Sequence, residues 1–190
     1  GLVTKKFNDF FLVDLKNHGN LGNNEKFLCK VRKSVNFRDQ LIYVGDEVVI
    51  ENIDLNNKRA IIASLKKRKN LLVRPSVANI SNIYVTFSVE EPELNFSQVN
   101  RFLISAESMG VEVSLVLTKC DLISDKRSSF LIDKFGKWGY KVITLNLQKS
   151  DDFKNLLSEL KQKECSIFMG PSGVGKTTLL NMIIPGLQNS

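Results

Sequence analysis

The chain has 190 residues, 43% hydrophobic and 25% charged, with a formal net charge of +7. That is an ordinary globular composition, with room for one medium domain or two small ones. It excludes a membrane helix in these residues, because no apolar run approaches the ~20 residues needed, and no secretory leader is expected at Phe10-Phe11-Leu12-Val13, which follows Asp9 and is too short. Three well-separated cysteines (Cys29, Cys120, Cys165), no C-x-x-C pair and the single His18 leave no disulfide framework and no zinc site in this segment. Reduced thiols point to a cytoplasm-like compartment; an organelle's stroma or matrix offers the same conditions.

Charge divides the chain. Residues 1–75 hold 15 Lys or Arg against 8 Asp or Glu, a balance of +7, while residues 76–190 hold 12 against 12. The asymmetry implies two units, the basic one facing a polyanion.

The basic part reads as short strands, Phe10 to Leu15, Phe27 to Val31, Tyr43 to Asn52 and Lys58 to Leu65. Turn-forming Asn17 to Asn20, Gly22 to Asn24, Gly45-Asp46 and Asn56-Asn57 separate them. Four or five strands in this length predict a small β-barrel, either an oligonucleotide-binding (OB) barrel or an SH3-like one. The run Lys66-Lys67-Arg68-Lys69, ending at Arg74-Pro75, reads as a linker, which gives domains of 1–70 and 71–190.

Strand and helix then alternate, which predicts a parallel sheet. Strands are expected at Ile80 to Val89, Val111 to Leu117, Lys141 to Leu145 and Cys165 to Met169. Helices are expected at Phe96 to Met109, around Ser128 to Trp138 with Trp138 in the core, at Asp151 to Leu160 capped by Ser150, and at Lys176 to Ile184 before Pro185-Gly186.

Between the last strand and the last helix stands GPSGVGKTT, which contains G-x-x-x-x-G-K-T from Gly170 to Thr177. Glycines let the backbone turn its N–H groups onto an anion at a helix N-terminus. In such a loop Lys176 reaches the β- and γ-phosphates and the Thr177 hydroxyl ligates magnesium, so these two are the expected catalytic contributors.

Thr118-Lys119-Cys120-Asp121 follows the strand ending at Leu117. A carboxylate there can accept both donors on the guanine edge, and adenine offers no such pair. Lys119 can lay its stem along the base. The stretch resembles the N/T-K-x-D guanine motif of GTPases, with Thr118 where asparagine is usual, a change that removes an amide and leaves a hydroxyl. The expected nucleotide contacts are Thr118, Lys119, Cys120 and Asp121, with Gly170, Pro171, Ser172, Gly173, Val174, Gly175, Lys176, Thr177 and Thr178.

The guanine motif precedes the phosphate loop by 52 residues (170 − 118), the reverse of the usual GTPase order. With the basic barrel, V-G-D-E-V at Val44 to Val48, the stretch LLVRPSVANISNIYV and Arg101-Phe102-Leu103, the chain resembles the circularly permuted GTPases of the RsgA (YjeQ, EngC) family over essentially its whole length. The resemblance implies an OB barrel, a permuted GTPase domain and a zinc-binding domain beyond it. It also implies guanine nucleotide with magnesium, and GTP hydrolysis stimulated by the small ribosomal subunit during that subunit's late maturation. A monomer with no membrane association is expected.

Only 13 residues (190 − 177) follow Thr177, so the switch threonine, the D-x-x-G turn and the zinc ligands are expected beyond this segment, and the GTPase domain is expected to be incomplete. Asp133-Lys134-Phe135-Gly136 lies between the two motifs at helical spacing and is read as a chance match. Contact with rRNA is expected from Lys30, Arg32, Lys33, Arg38 and Lys66 to Lys69, with Phe37 or Tyr43 either stacking on bases or lying in the core. Two other classes fit the same residues: a P-loop kinase or ATPase in which Thr118 to Asp121 is accidental, and a non-enzymatic RNA-binding module.

Overall fold

The computed structural model describes residues 1–15, 25–32, 41–146 and 153–184. The turn residues Asn17 to Asn20 and Gly22 to Asn24, the proposed RNA contacts Lys33, Phe37 and Arg38, the cap Ser150 and the stop Pro185-Gly186 lie outside them. The chain divides into two compact units, Gly1–Ile80 and Ser81–Ser190.

In the first unit, strands β1 (Leu2–Phe7), β2 (Phe10–Leu15), β3 (Glu25–Val31), β4 (Val48–Asp54) and β5 (Arg59–Leu65) form a mixed sheet in the order β1-β2-β3-β5-β4. Strands β3 and β5 run parallel and the other pairs antiparallel. A bridge between Leu2 and Glu47 joins the two ends of this order, with Val3 N donating to Asp46 O and Val48 N to Gly1 O, each at 2.8 Å. This topology is compatible with the OB barrel expected. Alternating residues fill its interior, among them Val3, Phe11, Val13, Phe27, Val48 and Ile62. Cys29 joins them, and burial pushes its thiol up to about 11, which keeps it protonated and inert.

Strand β1 has no counterpart among the expected strands. Thr4-Lys5-Lys6 breaks the apolar alternation, and the pairing itself slips between Val3 and Lys5. Strand β4 starts at Val48 rather than Tyr43, because Tyr43 to Asp46 is a tight turn. Asp46 N donates to Tyr43 O at 3.2 Å, and Tyr43 N donates to the Asp46 carboxylate at 2.8 Å.

The boundary between units falls after Ile80 rather than after residue 70. Short strands β6 (Leu71–Leu72) and β7 (Val77–Ala78) pair with each other, Ala78 N donates to Val44 O at 2.8 Å, and Asn79 Nδ2 donates to Gly45 O at 2.8 Å. A methyl group on Gly45 would fall 2.1 Å from the Ala78 carbonyl oxygen, so glycine is what lets this hairpin lie against the V-G-D-E-V turn. The basic run is also no free linker. Arg68 clasps Asp46 with Nε at 2.6 Å and Nη2 at 2.7 Å, and Lys66 pairs with Glu47 at 3.0 Å.

The second unit is built on β8 (Asn82–Ser88), β9 (Glu112–Thr118), β10 (Lys141–Thr144) and β11 (Ser166–Met169), all parallel, in the order β10-β9-β8-β11. Every residue of β8 is buried, as a central strand covered on both faces should be. Helices α1 (Phe96–Glu107) and α2 (Asp125–Lys137) pack on one side. On the other, α3 (Phe153–Lys161) and α4 (Lys176–Ile183) place Phe153, Leu156 and Leu179 against Tyr84, Val116 and Leu145.

Caps set the helix starts. Asn95 accepts from Gln98 N at 3.0 Å at the head of α1, and Ser124 accepts from Arg127 N, so α2 begins at Asp125 rather than Ser128. Asp133 to Gly136 lies within α2 with Phe135 fully buried, which makes it helix and not a phosphate turn. Trp138 is 43% exposed, not core; its ring lies edge-on to Phe135 at 5.1 Å. Among the described residues no helix is long and apolar enough to cross a membrane.

Candidate functional site

The chain leaves β8 for β9 and β10 on one side, then returns through α3 to β11 on the other. In such sheets the crevice at the carboxyl ends of strands, where the order reverses, is the ligand site. Here it lies at the ends of β8 and β11, and β9 ends beside it with Thr118 in register with Ser88.

The loop after β11 has the geometry its glycines imply. A methyl group on Gly170 would fall 2.0 Å from the Thr86 carbonyl oxygen, so only glycine lets the loop leave β11 against β8. Gly173 and Gly175 take φ of 82° and 89°, left-handed values that side chains disfavour. Val174 is buried, which anchors the loop's middle, while Ser172 and Gly173 are exposed and Pro171 is half-buried. Thr177 and Thr178 are exposed on the first turn of α4. Lys176 Nζ donates to Gly170 O at 2.8 Å and Pro171 O at 2.5 Å, and burial lowers its pKa.

At the end of β9, Thr118 is fully buried and its hydroxyl donates to Val174 O at 2.6 Å, with Phe87 O farther away at 3.4 Å. A hydroxyl has one proton, so the shorter contact takes it. Two loops 56 residues apart in sequence are thereby joined. Thr118, standing where asparagine is usual, therefore makes a side-chain link into the phosphate loop that its residue type alone does not announce. Thr118→Val should weaken GDP and ADP binding alike by about ten-fold, because the isosteric side chain leaves the Val174 carbonyl buried without its donor. Thr118→Ser should restore most of the loss, and calorimetric titration measures both.

Lys119 follows in the left-handed region at φ 57°, and Asp121 is exposed on the 3₁₀ turn Cys120–Leu122. Cys120 N donates to Leu145 O at 3.3 Å and its thiol to Leu117 O at 3.3 Å, so this residue ties the turn to the sheet through its own backbone and sulfur. Lys119 Nζ donates to the carbonyl of Glu91, in the loop that leaves β8. Its one signal in the sequence is its place directly after the central strand β8, every residue of which is buried.

Among the described residues no group of three His, Cys, Asp or Glu is gathered that could hold a metal by itself. Magnesium commonly takes one or two protein oxygens and completes its shell with phosphate oxygens and water. The exposed Thr177 hydroxyl beside the loop is the protein oxygen offered.

A phosphate loop at the switch point of a parallel sheet, following in sequence the strand that ends in Thr118, defines the class: a P-loop α/β fold with the two motifs in inverted order. The profile of the RsgA GTPase family matches residues 65–190. The chain belongs to the RsgA GTPase family. A small ribosomal subunit biogenesis GTPase RsgA of Prochlorococcus marinus (strain NATL2A) is 38% identical over 160 residues, which cover 84% of this chain and 51% of that protein. The relative of the same name from Synechococcus sp. (strain CC9605) is 39% identical over 163 residues, covering 86% and 54%. The chain thus spans about half the length of these curated relatives. Among solved structures, YjeQ from Thermotoga maritima superposes with a TM-score of 0.84 at 30% identity, covering 98% of this chain and 65% of that one. YloQ, described as a circularly permuted GTPase, superposes at 0.81 and 27% identity, covering 98% and 64%.

Proposed function

We propose that this protein binds guanine nucleotide between Gly170–Thr178 and Thr118–Asp121 and hydrolyses GTP in the biogenesis of the small ribosomal subunit, whose late maturation it assists. The hydrogen bond from Thr118 to Val174 carries the reading, because it sets the base-selecting loop beside the phosphate loop. Asp121 reads the guanine edge, Lys119 covers the base, and Lys176 with the loop amides neutralises the phosphates. Magnesium, held by Thr177 when bound, neutralises charge on the β- and γ-oxygens. These residues are assigned no zinc role.

The first unit acts as an OB barrel on rRNA, in the cytoplasm, with the whole protein a monomer. Its strand order, with β3 parallel to β5 and β1 returning to the start of β4, supports the barrel assignment. Lys30, Arg32 and the lysines of the 66–69 run supply phosphate contacts; Arg68 and Tyr43 do not. Arg68 is engaged by Asp46, and Tyr43 lies beneath the Arg68 guanidinium at 5.0 Å.

Displacement of a fluorescent GDP analogue tests the nucleotide reading. GTP and GDP should displace it, and ATP at 100-fold excess should not. Equal displacement by ATP makes the protein an adenine-nucleotide enzyme, and no binding of either leaves an RNA-binding module alone.

A further inference from the structure

We propose that residues 89–94, the loop leaving β8, form a third wall of the nucleotide site and set Lys119 against the base, with Ser88 and Glu90 as the positioning residues. This rests on the guanine-nucleotide reading above.

Strand β8 lies between β9 and β11, so a loop leaving its carboxyl end must emerge between the two recognition loops. It touches both. Val89 N donates to Thr118 O at 3.1 Å, and Lys119 Nζ donates to Glu91 O. On the other flank, a methyl group on Gly173 would meet Pro92 Cδ at 3.8 Å, ordinary contact distance, so Pro92 runs alongside the phosphate loop. Glu91 and Lys119 are both non-glycine residues in the left-handed region, at φ 51° and 57°, and they are bonded to each other. Such conformations persist only where surrounding structure imposes them, and they gather at functional sites.

Two anchors impose this one. The Ser88 hydroxyl, 1% exposed, donates to Pro92 O at 2.9 Å. Outside the sheet, Arg127 at the start of α2 pairs with Glu90 at 3.2 Å and reaches Glu93 at 4.0 Å. The second anchor also answers an electrostatic problem, because Glu90 and Glu93 would otherwise stand without a counter-charge beside a phosphate site. The Glu91 backbone, and not its carboxylate, then receives the lysine. With Nζ tethered there, the aliphatic stem of Lys119 is aligned before any base arrives, and less side-chain freedom is lost on binding.

The test compares GDP, ADP and inorganic pyrophosphate on the intact chain by calorimetric titration. Ser88→Ala should weaken GDP about ten-fold and leave pyrophosphate unchanged. Glu90→Gln with Glu93→Gln should weaken GDP about three-fold, the effect of a half-exposed ion pair. That second result has a telling sign, because removing two negative charges near a phosphate site would by itself tighten both ligands. Parallel changes in GDP and pyrophosphate, or GDP unchanged or tightened in the glutamine variant, overturn the loop's role; that variant is at the surface and keeps the test open should Ser88→Ala not fold. If the wild-type protein binds GDP no better than ADP, the guanine reading fails and takes the loop with it. Clear wild-type preference with unaltered variants sinks the loop alone.

Discussion

Replacing Asp121 with asparagine is expected to weaken GDP binding by about 10³-fold and to strengthen xanthosine diphosphate binding by a comparable factor. The argument is a count of donors and acceptors. A carboxylate accepts twice, and the guanine edge donates twice, through its ring N–H and its exocyclic amine. Asparagine accepts once and donates once. Against guanine, one donor then faces another donor, and neither finds its partner in the other. Against xanthine, whose exocyclic amine is replaced by a carbonyl, the asparagine fits. Polar mismatch of this kind reaches 10⁴-fold or more where a site is built around hydrogen bonds. The lower figure allows for the exposure of Asp121. Exposure also makes the substitution clean, since the side chain lies on a surface 3₁₀ turn and its replacement is nearly isosteric. Competition of GDP, XDP and ADP for a fluorescent GDP analogue measures the swap. An unchanged ratio of GDP to XDP would mean that Asp121 does not read the base.

How far the sequence discloses this site depends on how local each cause is. The phosphate loop is legible because its constraints are intrinsic: a glycine that abuts the Thr86 carbonyl, and two more with left-handed backbone, cannot be disguised. The parallel sheet is legible because β8 and β9 are rich in β-branched and aromatic residues, alternate with helical stretches, and are buried over all or most of their length. Strand β1 is not, since Lys5 and Lys6 face solvent and mask the pairing. The boundary at Ile80 depends on a hairpin that lies against Gly45, 33 residues before Ala78 (78 − 45), which no local pattern announces. The use of Thr118 is hidden for the same reason: its type and position are visible, but its acceptor, Val174, is supplied by a distant loop. The spacing of Trp138 fits the buried stripe of α2, but the residue falls just past the helix's last residue, Lys137, and is exposed.

The largest stability effect is expected from Arg68→Ala, which should destabilise the first unit by about 3 kcal/mol. Asp46 is fully buried in the turn before β4, where its backbone carbonyl accepts from Val3 of β1. Its carboxylate accepts from Tyr43 N and, as a two-pronged pair, from Arg68 Nε and Nη2. Arg68 further donates to Leu41 O at 2.5 Å, and its hydrogen bond to Asp46 raises its own pKa. Truncating the arginine strands a buried carboxylate without a counter-ion, for which losses of about 3–5 kcal/mol are usual. The low end applies because the Arg68 side chain is itself 19% exposed, so water can reach the vacated face. For a unit of 80 residues, 3 kcal/mol corresponds to a fall in Tm of roughly 12–24 °C. Differential scanning calorimetry should show the early transition moving while the transition that GDP stabilises stays in place. Arg68→Lys keeps the charge but loses the fork and should fall between. Asp46→Asn combined with Arg68→Met should recover much of the loss, because no bare charge remains. If Arg68 is instead a phosphate contact on the barrel surface, Arg68→Ala will leave Tm within a degree and lower the salt dependence of RNA binding by about one counterion. That outcome would place Arg68 with the lysines of its run on the RNA face and remove its pair with Asp46 from the account of the first unit's stability.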